Sequence, residues 1–384
     1  MKQYKLVFLT NYYNHHQSEV ASEFFKLTDG SFLFVETEEM SAERKKLGYG
    51  GWDKPQYVCT YDEQVQKHID NAEVVIYGSA PYEYIKKRLC QKKLTFVYSE
   101  RLFKKNIGIL GLFLRKIKNY LNFGRYKNAY LLCASAYSAY DFSKVCAFKN
   151  KSFKWGYFPK TYEYNDVDKI IKDKKQNSIL WVGRLIDWKN VCDAISVVKR
   201  LKESGYDITL EIIGSGPLEN QIATQIEKEN LGDYIKLLGS MKPEQVRTYM
   251  EESQIYLFTS DFNEGWGAVL NESMNSACAV VASHAIGSAP FLIEDGKNGY
   301  IYQNKNEQDL YNKIKSLLDD NEKIYEFGKN AYLTMKNLWN AQVCVKRFIQ
   351  LCEVIKSQKQ TSLFENGPCS KAKLIKNDWY KIND

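Results

Sequence analysis

Short apolar segments rich in β-branched residues alternate along the chain with segments of helical periodicity, and this alternation limits the fold more than any other feature. Runs of four to eight such residues bounded by Gly, Ser or Asn are typical of strands buried on both faces. Because helical segments separate them, we predict an α/β protein with doubly wound parallel sheets. The predicted strands are 5–10, 31–36, 72–77, 94–98, 130–134, 178–183, 208–214, 235–239, 255–260 and 279–283.

A polar, strongly charged stretch divides this pattern into two halves. With 384 residues, the chain is long enough for two or three domains that each bury a core. We predict an N-terminal Rossmann-like domain at 1–158, a linker at 159–177 and a second Rossmann-like domain at 178–338. A C-terminal helix and tail at 339–384 is expected to return to the N-terminal domain. Two such domains predict an enzyme whose ligand lies between them.

The cysteines and the N-terminal segment bear on the cellular compartment. Nine cysteines are scattered without a C-x-x-C pair, which argues against a zinc ribbon and a thioredoxin-type site. Free thiols in apolar segments are typical of the reducing cytosol. The segment MKQYKLVFLTNYY lacks the pattern of a signal peptide, and no run approaches the roughly 20 apolar residues that span a bilayer. We therefore expect a cytoplasmic protein.

Two cationic side chains follow the first predicted strand of the second half. Arg184 comes directly after this strand, and Lys189 precedes a helix predicted to begin at about residue 190. Cations beside the free N–H groups and the positive dipole of a helix N-terminus suit a phosphate. Two solvated charges on a loop are the alternative interpretation.

A G-x-G pattern follows the next strand. Gly214 and Gly216 would let a ligand approach the backbone closely. The pattern lacks the third glycine of a dinucleotide-binding motif, so an ordinary turn is the alternative.

Two carboxylates flank a glycine-containing loop after the strand at 255–260. Glu264 lies just before a helix predicted to start near Gly267, and Glu272 lies about a turn and a half inside it. Carboxylates accept hydrogen bonds from vicinal hydroxyls of a sugar or a ribose. Gly265 and Gly267 allow close backbone approach, although acids in a first turn also stabilise a helix. With phosphate-binding cations on a neighbouring strand end, the pattern describes a nucleotide-sugar pocket.

In this order, the motifs of the second half resemble the nucleotide-sugar domain of glycosyltransferase family 4, the retaining enzymes of the GT-B fold. The motifs that carry the resemblance are Gly183-Arg184-Leu185 with Lys189, Ile213–Pro217, Leu238–Met241, Glu264–Gly267, Glu272–Met274, Ala279–Ser283 and Asp295–Gly299.

The resemblance implies a GT-B architecture, in which two Rossmann-like domains face a cleft. It implies that Arg184 and Lys189 hold the donor diphosphate and stabilise charge on it as it leaves. Glu272 is expected to hold the ribose hydroxyls. No metal and no further cofactor are expected, since the two cations replace a metal.

The donor sugar and base are assigned in the same way. The resemblance implies that Glu264 and the loop Gly265, Trp266 and Gly267 hold and orient the sugar. Ser240 and Met241 are expected to line the base. A UDP-sugar is the favoured donor and a GDP-sugar the second choice.

Three residues of the N-terminal domain are candidates for the acceptor side. His15 and His16 follow its first predicted strand, and Glu100 follows the strand at 94–98. Glu100 is predicted to bind an acceptor hydroxyl or to act as a base. A polar loop for the two histidines, and an ion pair of Glu100 with Arg101 or a nearby Lys, remain the alternatives.

One stretch carries the basic excess of the chain. Residues 81–128 have a net charge of +11, whereas the whole chain carries +8. Within it, residues 101–128 hold eight basic residues, no acid and many large apolar residues. This composition suits an interfacial helix on an anionic membrane. A helix with a core-facing apolar side and solvated lysines is the alternative, and nucleic acid is not expected.

These observations predict a retaining, metal-independent glycosyltransferase that is peripheral on the inner face of the cytoplasmic membrane. It would move a sugar from a nucleotide sugar to a saccharide acceptor in bacterial surface polysaccharide assembly, and a lipid-linked saccharide is the favoured acceptor. A sugar-nucleotide epimerase or a phosphorylase of the same fold is the alternative, and a non-enzymatic sugar-binding protein is disfavoured by the two carboxylates with Arg184 and Lys189.

Overall fold

The computed structural model describes residues 4–41, 53–104, 107–358 and 363–381. The chain forms two compact units. Unit 1 comprises residues 1–160 and 338–376, and unit 2 comprises residues 161–337 and 377–384.

Unit 1 contains a parallel sheet of seven strands, counted over the described residues, in the order β3-β2-β1-β4-β5-β6-β7. Its strands are β1 (Leu6–Thr10), β2 (Phe32–Glu36), β3 (Val58–Thr60), β4 (Val74–Tyr77), β5 (Leu94–Ser99), β6 (Ala129–Cys133) and β7 (Ser152–Lys154). The order reverses between β1 and β4, as in a doubly wound sheet. The short strands β3 and β7 were not predicted from the sequence, because three residues carry too little periodicity.

Several α-helices accompany the sheet of unit 1. The α-helices are α1 (His15–Leu27), α2 (Glu63–Asn71), α3 (Glu83–Cys90), α4 (Ile109–Asn119) and α5 (Ser138–Lys144), with the C-terminal helix given below. The side chain of Asn14 caps α1 by accepting a hydrogen bond from the His16 N–H. Helix α1 buries Phe24, whose ring meets Phe348 edge-on at 5.4 Å between centroids. The C-terminal helix that carries Phe348 is therefore part of the unit 1 core.

Unit 2 contains a second parallel sheet, in the order β10-β9-β8-β11-β12-β13. Its strands are β8 (Lys175–Val182), β9 (Thr209–Ile213), β10 (Ile235–Leu237), β11 (Ser253–Phe258), β12 (Ala279–Ser283) and β13 (Tyr300–Tyr302). The remaining α-helices are α6 (Val167–Lys172), α7 (Val191–Glu203), α8 (Glu219–Lys228), α9 (Pro243–Glu252), α10 (Ala268–Asn275), α11 (Ala289–Leu292), α12 (Glu307–Leu318), α13 (Asn321–Asn337) and α14 (Ala341–Lys356), of which α14 belongs to unit 1. The central strands of this sheet are buried on both faces, as the continuous apolar runs predict.

The stretch predicted as a linker, 159–177, is largely part of unit 2. It contains helix α6, where Ile171 packs against Ala277 and Tyr332. The buried Lys174 ammonium donates to the carbonyls of Met250, Glu251 and Ser276. This segment therefore belongs to the domain that follows it. Its many charged residues favoured a linker in the sequence analysis, although one side of α6 is apolar and packs on the rest of unit 2.

The C-terminal tail divides between the two units. Residues through 376 belong to unit 1, whereas 377–381 lie on unit 2. The Tyr380 hydroxyl donates to the Ile301 carbonyl at 2.7 Å, and its ring stacks on His284 at 5.7 Å between centroids. For these last residues, the prediction that the tail packs on the N-terminal domain is wrong, because Tyr380 finds its aromatic partner in unit 2.

Candidate functional site

The loops at the carboxyl ends of strands β8, β9 and β10 are joined by hydrogen bonds. The Gly214 N–H donates to the Gly239 carbonyl at 2.8 Å, and the Leu185 N–H donates to the Ser215 carbonyl at 2.9 Å. The hydroxyls of Ser215 and Ser240 hydrogen-bond at 2.7 Å. The predicted phosphate loop, the G-x-G loop and Ser240 therefore lie side by side on one edge of the sheet, where open α/β sheets bind ligands.

The two glycines of the G-x-G loop allow this close approach of backbones. Gly214 has a φ of +143°, and a Cβ atom there would lie 1.8 Å from the Gly183 carbonyl oxygen. A Cβ atom on Gly216 would lie 2.4 Å from the Leu185 carbonyl oxygen. The glycines are thus required for packing of the loops against each other, whatever ligand the edge binds.

Lys189 and Glu264 form an ion pair on this edge. Each side chain is only 11% exposed, and the Ser260 hydroxyl donates to the same Glu264 oxygen at 3.0 Å. The pair joins the loop after β8 to the loop after β11. A cation and a carboxylate predicted to hold the diphosphate and the sugar of one donor are thus adjacent.

The backbone around Lys189 is fixed by the loop that follows β11. The Lys189 carbonyl accepts a hydrogen bond from the Thr259 hydroxyl at 2.7 Å, and the Trp188 carbonyl accepts one from the Asp261 N–H at 2.9 Å. Asn190 has a left-handed backbone conformation that ends the short turn 187–189 and starts helix α7, and its side-chain amide donates to the Thr259 carbonyl. Three hydrogen bonds therefore hold the start of α7 against the loop after β11.

The glycine-rich loop before α10 is anchored by Trp266. The indole is fully buried, and its Nε1–H donates to the Asn271 side chain at 2.9 Å. Because this ring is part of the core, the predicted role of Trp266 in holding the donor falls to its backbone. Gly267 has a φ of +85°, and a Cβ atom there would lie 2.6 Å from the Phe258 ring. Trp266 therefore anchors the loop, and the backbone at Gly267 lies close to Phe258.

Glu272 lies on α10 as a residue of intermediate exposure, and its carboxyl group is surrounded by protein. Desolvation by the surrounding protein raises its pKa to about 7, and the charge of Arg247 on α9 lowers it in part. Arg247 donates to the Glu272 carbonyl at 3.3 Å and to the Ser276 hydroxyl at 2.6 Å. Nothing in the local sequence distinguishes Arg247, because it lies in the middle of an ordinary amphipathic helix.

Two other predicted donor residues, Arg184 and Met241, lie in loops of the same edge. Arg184 is exposed on the loop after β8, and Met241 is partly exposed beyond Ser240. Over the described residues, no group of three or more His, Cys, Asp or Glu side chains is arranged to hold a metal ion.

Two of the three predicted acceptor residues of unit 1, Glu100 and His16, contact a residue that the sequence did not single out. The Tyr157 hydroxyl donates to Glu100 at 2.7 Å, and its ring stacks on His16 at 5.3 Å between centroids. His15 and His16 are adjacent at the start of α1, and burial lowers their pKa values to about 4 and about 3. Both imidazoles are therefore neutral near pH 7.

The basic stretch contains an exposed apolar helix. Helix α4 buries none of its residues, and Ile109, Leu110, Phe113 and Leu114 are 91%, 72%, 57% and 58% exposed. The alternative in which this apolar side is core is therefore wrong for α4. Among the described residues, no helix has the length and hydropathy needed to cross a membrane. Residues 105 and 106 of the stretch, including Lys105, lie outside the described residues.

Comparison with known proteins finds a family that unit 2 resembles. Residues 164–334 match the family described as glycosyl transferases group 1, and this span is nearly the whole of unit 2.

A curated relative from Campylobacter jejuni is named N-acetylgalactosamine-N,N'-diacetylbacillosaminyl-diphospho-undecaprenol 4-alpha-N-acetylgalactosaminyltransferase. It is 34% identical over 167 residues, which cover 44% of this chain and 43% of the relative. The chain spans less than half the length of the first curated relatives that it matches.

Solved structures extend the likeness to both units. HepE from Anabaena, in complex with UDP, matches with a TM-score of 0.66 at 16% identity, over 92% of this chain and 100% of that one. A glycosyltransferase from Rickettsia africae matches with a TM-score of 0.65 at 14% identity, over 94% and 100%. The fold is that of the GT-B glycosyltransferases, as the motifs predicted.

Proposed function

We propose that the protein is a retaining, metal-independent glycosyltransferase of family 4 that moves a sugar from a nucleotide-sugar donor to a saccharide acceptor. The observation that carries the proposal is the Lys189–Glu264 pair at the sheet edge where the loops after β8 and β11 meet. The group 1 match over residues 164–334 supports the same assignment. We favour a UDP-sugar, because the structurally similar HepE binds UDP, and a GDP-sugar is the second choice.

The residues on this edge of the sheet have different roles in the proposed transfer. Arg184 and Lys189 neutralise the negative charge that grows on the departing diphosphate. Glu264 accepts hydrogen bonds from the donor sugar and holds it as positive charge develops at the anomeric carbon. Glu272 accepts hydrogen bonds from the ribose hydroxyls, with the backbone of Gly214, Gly216 and the loop 265–267 close to the donor. Ser240 and Met241 lie against the base.

The acceptor is held by unit 1 and is a lipid-linked saccharide of bacterial surface polysaccharide assembly. The Campylobacter jejuni relative is named for an acceptor carried on diphospho-undecaprenol, which supports this substrate class. The acceptor site comprises Glu100 together with His16, which contacts the same tyrosine, Tyr157, and the adjacent His15. Glu100 accepts the hydrogen bond of the attacking hydroxyl.

Helix α4 suits an anionic membrane surface such as the inner face of the cytoplasmic membrane. Its apolar residues are exposed to solvent, and Arg115, Lys116 and Lys118 are exposed on the same short helix. Apolar side chains that enter the acyl boundary, beside cations that meet lipid phosphates, define an interfacial helix. Membrane docking would bring unit 1 to the acceptor's lipid.

The donor is tested by thermal unfolding with UDP-glucose, UDP-N-acetylglucosamine, UDP-N-acetylgalactosamine and GDP-mannose. A donor that binds only the folded state stabilises it by about 2.7 kcal/mol at 100 times Kd. Lys189→Ala should abolish this stabilisation, whereas the exposed Lys236→Ala on β10 should preserve it. If none of the four stabilises the wild-type protein, the donor proposal is wrong.

The reaction is tested with the stabilising donor and octyl glycosides of glucose, galactose, N-acetylglucosamine and N-acetylgalactosamine as acceptors. We expect a disaccharide whose new linkage keeps the donor's anomeric configuration, read by proton NMR. An isomerised donor without acceptor would instead indicate an epimerase, and a strict need for inorganic phosphate would indicate a phosphorylase.

Membrane binding is tested by sedimentation with vesicles of phosphatidylcholine, with and without 30% phosphatidylglycerol. We expect binding only to the anionic vesicles. It should be lost in the triple variant Arg115→Ala, Lys116→Ala, Lys118→Ala and kept in a control triple variant at other exposed unit 1 lysines, Lys26, Lys67 and Lys346. Binding that ignores anionic lipid, or that survives the α4 substitutions, would contradict the membrane proposal and leave the donor site untouched.

A further inference from the structure

Glu100 lies at the end of β5, and each of its carboxylate oxygens has its own partner. The Tyr157 hydroxyl donates to Oε1 at 2.7 Å, and the Lys104 ammonium donates to Oε2 at 2.9 Å. An ionised carboxylate has about four lone-pair positions, so each oxygen can accept one more hydrogen bond. The side chain is 31% exposed, so another donor can reach it. Glu100 is therefore oriented without being saturated.

The two partners of Glu100 differ in how firmly they are held. Lys104 is exposed and four residues away along the chain, so its ammonium can move with solvent. Tyr157 comes from the segment after β7, and its ring stacks on His16 at an interplanar angle of 11°. The neighbouring Phe158 N–H donates to the His16 carbonyl at 3.3 Å, which ties this segment to the start of α1. Tyr157 is thus the rigid partner.

Tyr98 on β5 lies behind Tyr157, with the two ring centroids 6.2 Å apart. Burial raises the pKa values of both tyrosines well above their usual range, so each hydroxyl keeps its proton near pH 7. Tyr157 can therefore donate to Glu100, whose side chain is partly exposed.

We propose that Tyr157 is a positioning residue that aims the Glu100 carboxylate at the sugar hydroxyl to be glycosylated. The inference rests on the proposed function, in which Glu100 accepts the hydrogen bond of that hydroxyl. Tyr157 does not touch the acceptor. It fixes one carboxylate oxygen, so that the free lone pairs point outward in a constant direction. A short-range hydrogen bond to a mobile carboxylate would lose part of its strength to that motion.

The test is Tyr157→Phe, measured with the donor and octyl glycoside pair that the wild-type protein uses. This change removes one hydroxyl and keeps the ring that stacks on His16. We expect kcat/KM for the acceptor to fall by about tenfold or more, as for loss of a hydrogen bond to a charged group, while Kd for UDP stays within about twofold. The matched control is Tyr130→Phe on β6, a partly buried tyrosine of the same unit, which should change neither quantity.

A double-mutant cycle with Glu100→Gln separates positioning from a general effect on folding. If Tyr157 acts through Glu100, adding Tyr157→Phe to Glu100→Gln should change kcat/KM by less than about twofold. The inference would be overturned if the two substitutions lowered kcat/KM additively, or if Tyr157→Phe had the same kcat/KM as Tyr130→Phe. Transfer by the wild-type protein would still leave the proposed function in place. Absence of transfer by the wild-type protein with every donor and glycoside would overturn both.

Discussion

Lys189 and Glu264 form an ion pair although 75 residues separate them in the chain. Two groups predicted to bind different parts of one donor thus neutralise each other. Their burial means that removal of one partner leaves the other as a desolvated charge. The pair also links the diphosphate end of the proposed site to its sugar end.

We therefore expect Lys189→Ala to damage both stability and activity. Loss of the counter-charge should lower the free energy of unfolding by about 3 kcal/mol, and loss of charge stabilisation on the leaving diphosphate should lower turnover by about 100-fold or more. Urea denaturation and steady-state kinetics measure the two effects.

The double variant Lys189→Ala, Glu264→Ala separates the effect on stability from the effect on turnover. Removing the stranded carboxylate should recover part of the lost stability but none of the activity. Near wild-type turnover in either single variant would contradict the proposed donor site.

Gly214 is expected to tolerate no side chain. Its φ of +143° is unfavourable for any L-residue, and a Cβ atom would overlap the Gly183 carbonyl oxygen. Gly214→Ala should therefore lower the free energy of unfolding by about 3 kcal/mol and separate the loops after β8 and β9. The control is Gly232→Ala, an exposed glycine where a Cβ atom meets nothing within 4 Å. Equal unfolding midpoints in urea for the two variants would show that the loops can move apart at no cost.

The sequence was sufficient for the alternation of strands and helices and for the edge that carries Lys189, Glu264 and Glu272. It was sufficient because each motif sits at a strand end, and parallel strands bring their carboxyl ends to one edge. The start of β8 at Lys175 was missed by three residues. There the Lys175 backbone pairs with Ser253, and backbone pairing does not depend on apolar side chains.

Other parts could not be predicted, because they depend on contacts between distant segments. Tyr157 joins Glu100 across 57 residues, and nothing in its local sequence distinguishes it from the other tyrosines of a tyrosine-rich chain. Trp266 lies inside a donor motif yet faces the core, since its indole finds Asn271 one turn further on. A motif fixes the path of the backbone more reliably than the direction of each side chain.

Donor binding is expected to depend on pH through Glu272. Burial raises its pKa to about 7, so in the free protein the carboxylate is mostly ionised at pH 8 and mostly protonated at pH 6. If the ionised form holds the ribose hydroxyls, the competent fraction and hence the UDP affinity should fall by about tenfold between these values. Isothermal titration calorimetry with UDP at both pH values measures the affinity. The Glu272→Gln variant is the control, because its change in affinity with pH comes from protonation of the UDP phosphates alone. Parallel pH dependences in the two proteins would exclude this role for Glu272.

His16 should make the protein less stable in mild acid. Burial lowers its folded-state pKa to about 3, whereas an unfolded histidine titrates near 6.5. Between these two pKa values the unfolded state binds one more proton than the folded state, so the free energy of unfolding falls as the pH falls. The contribution of neutral His16 to stability is therefore complete only above about pH 6.5. From pH 7 to pH 5 the loss from this one residue is about 2 kcal/mol. We expect urea denaturation of His16→Gln to show a correspondingly smaller drop over the same range, and an equal drop in both proteins would mean that His16 gains its proton without unfolding.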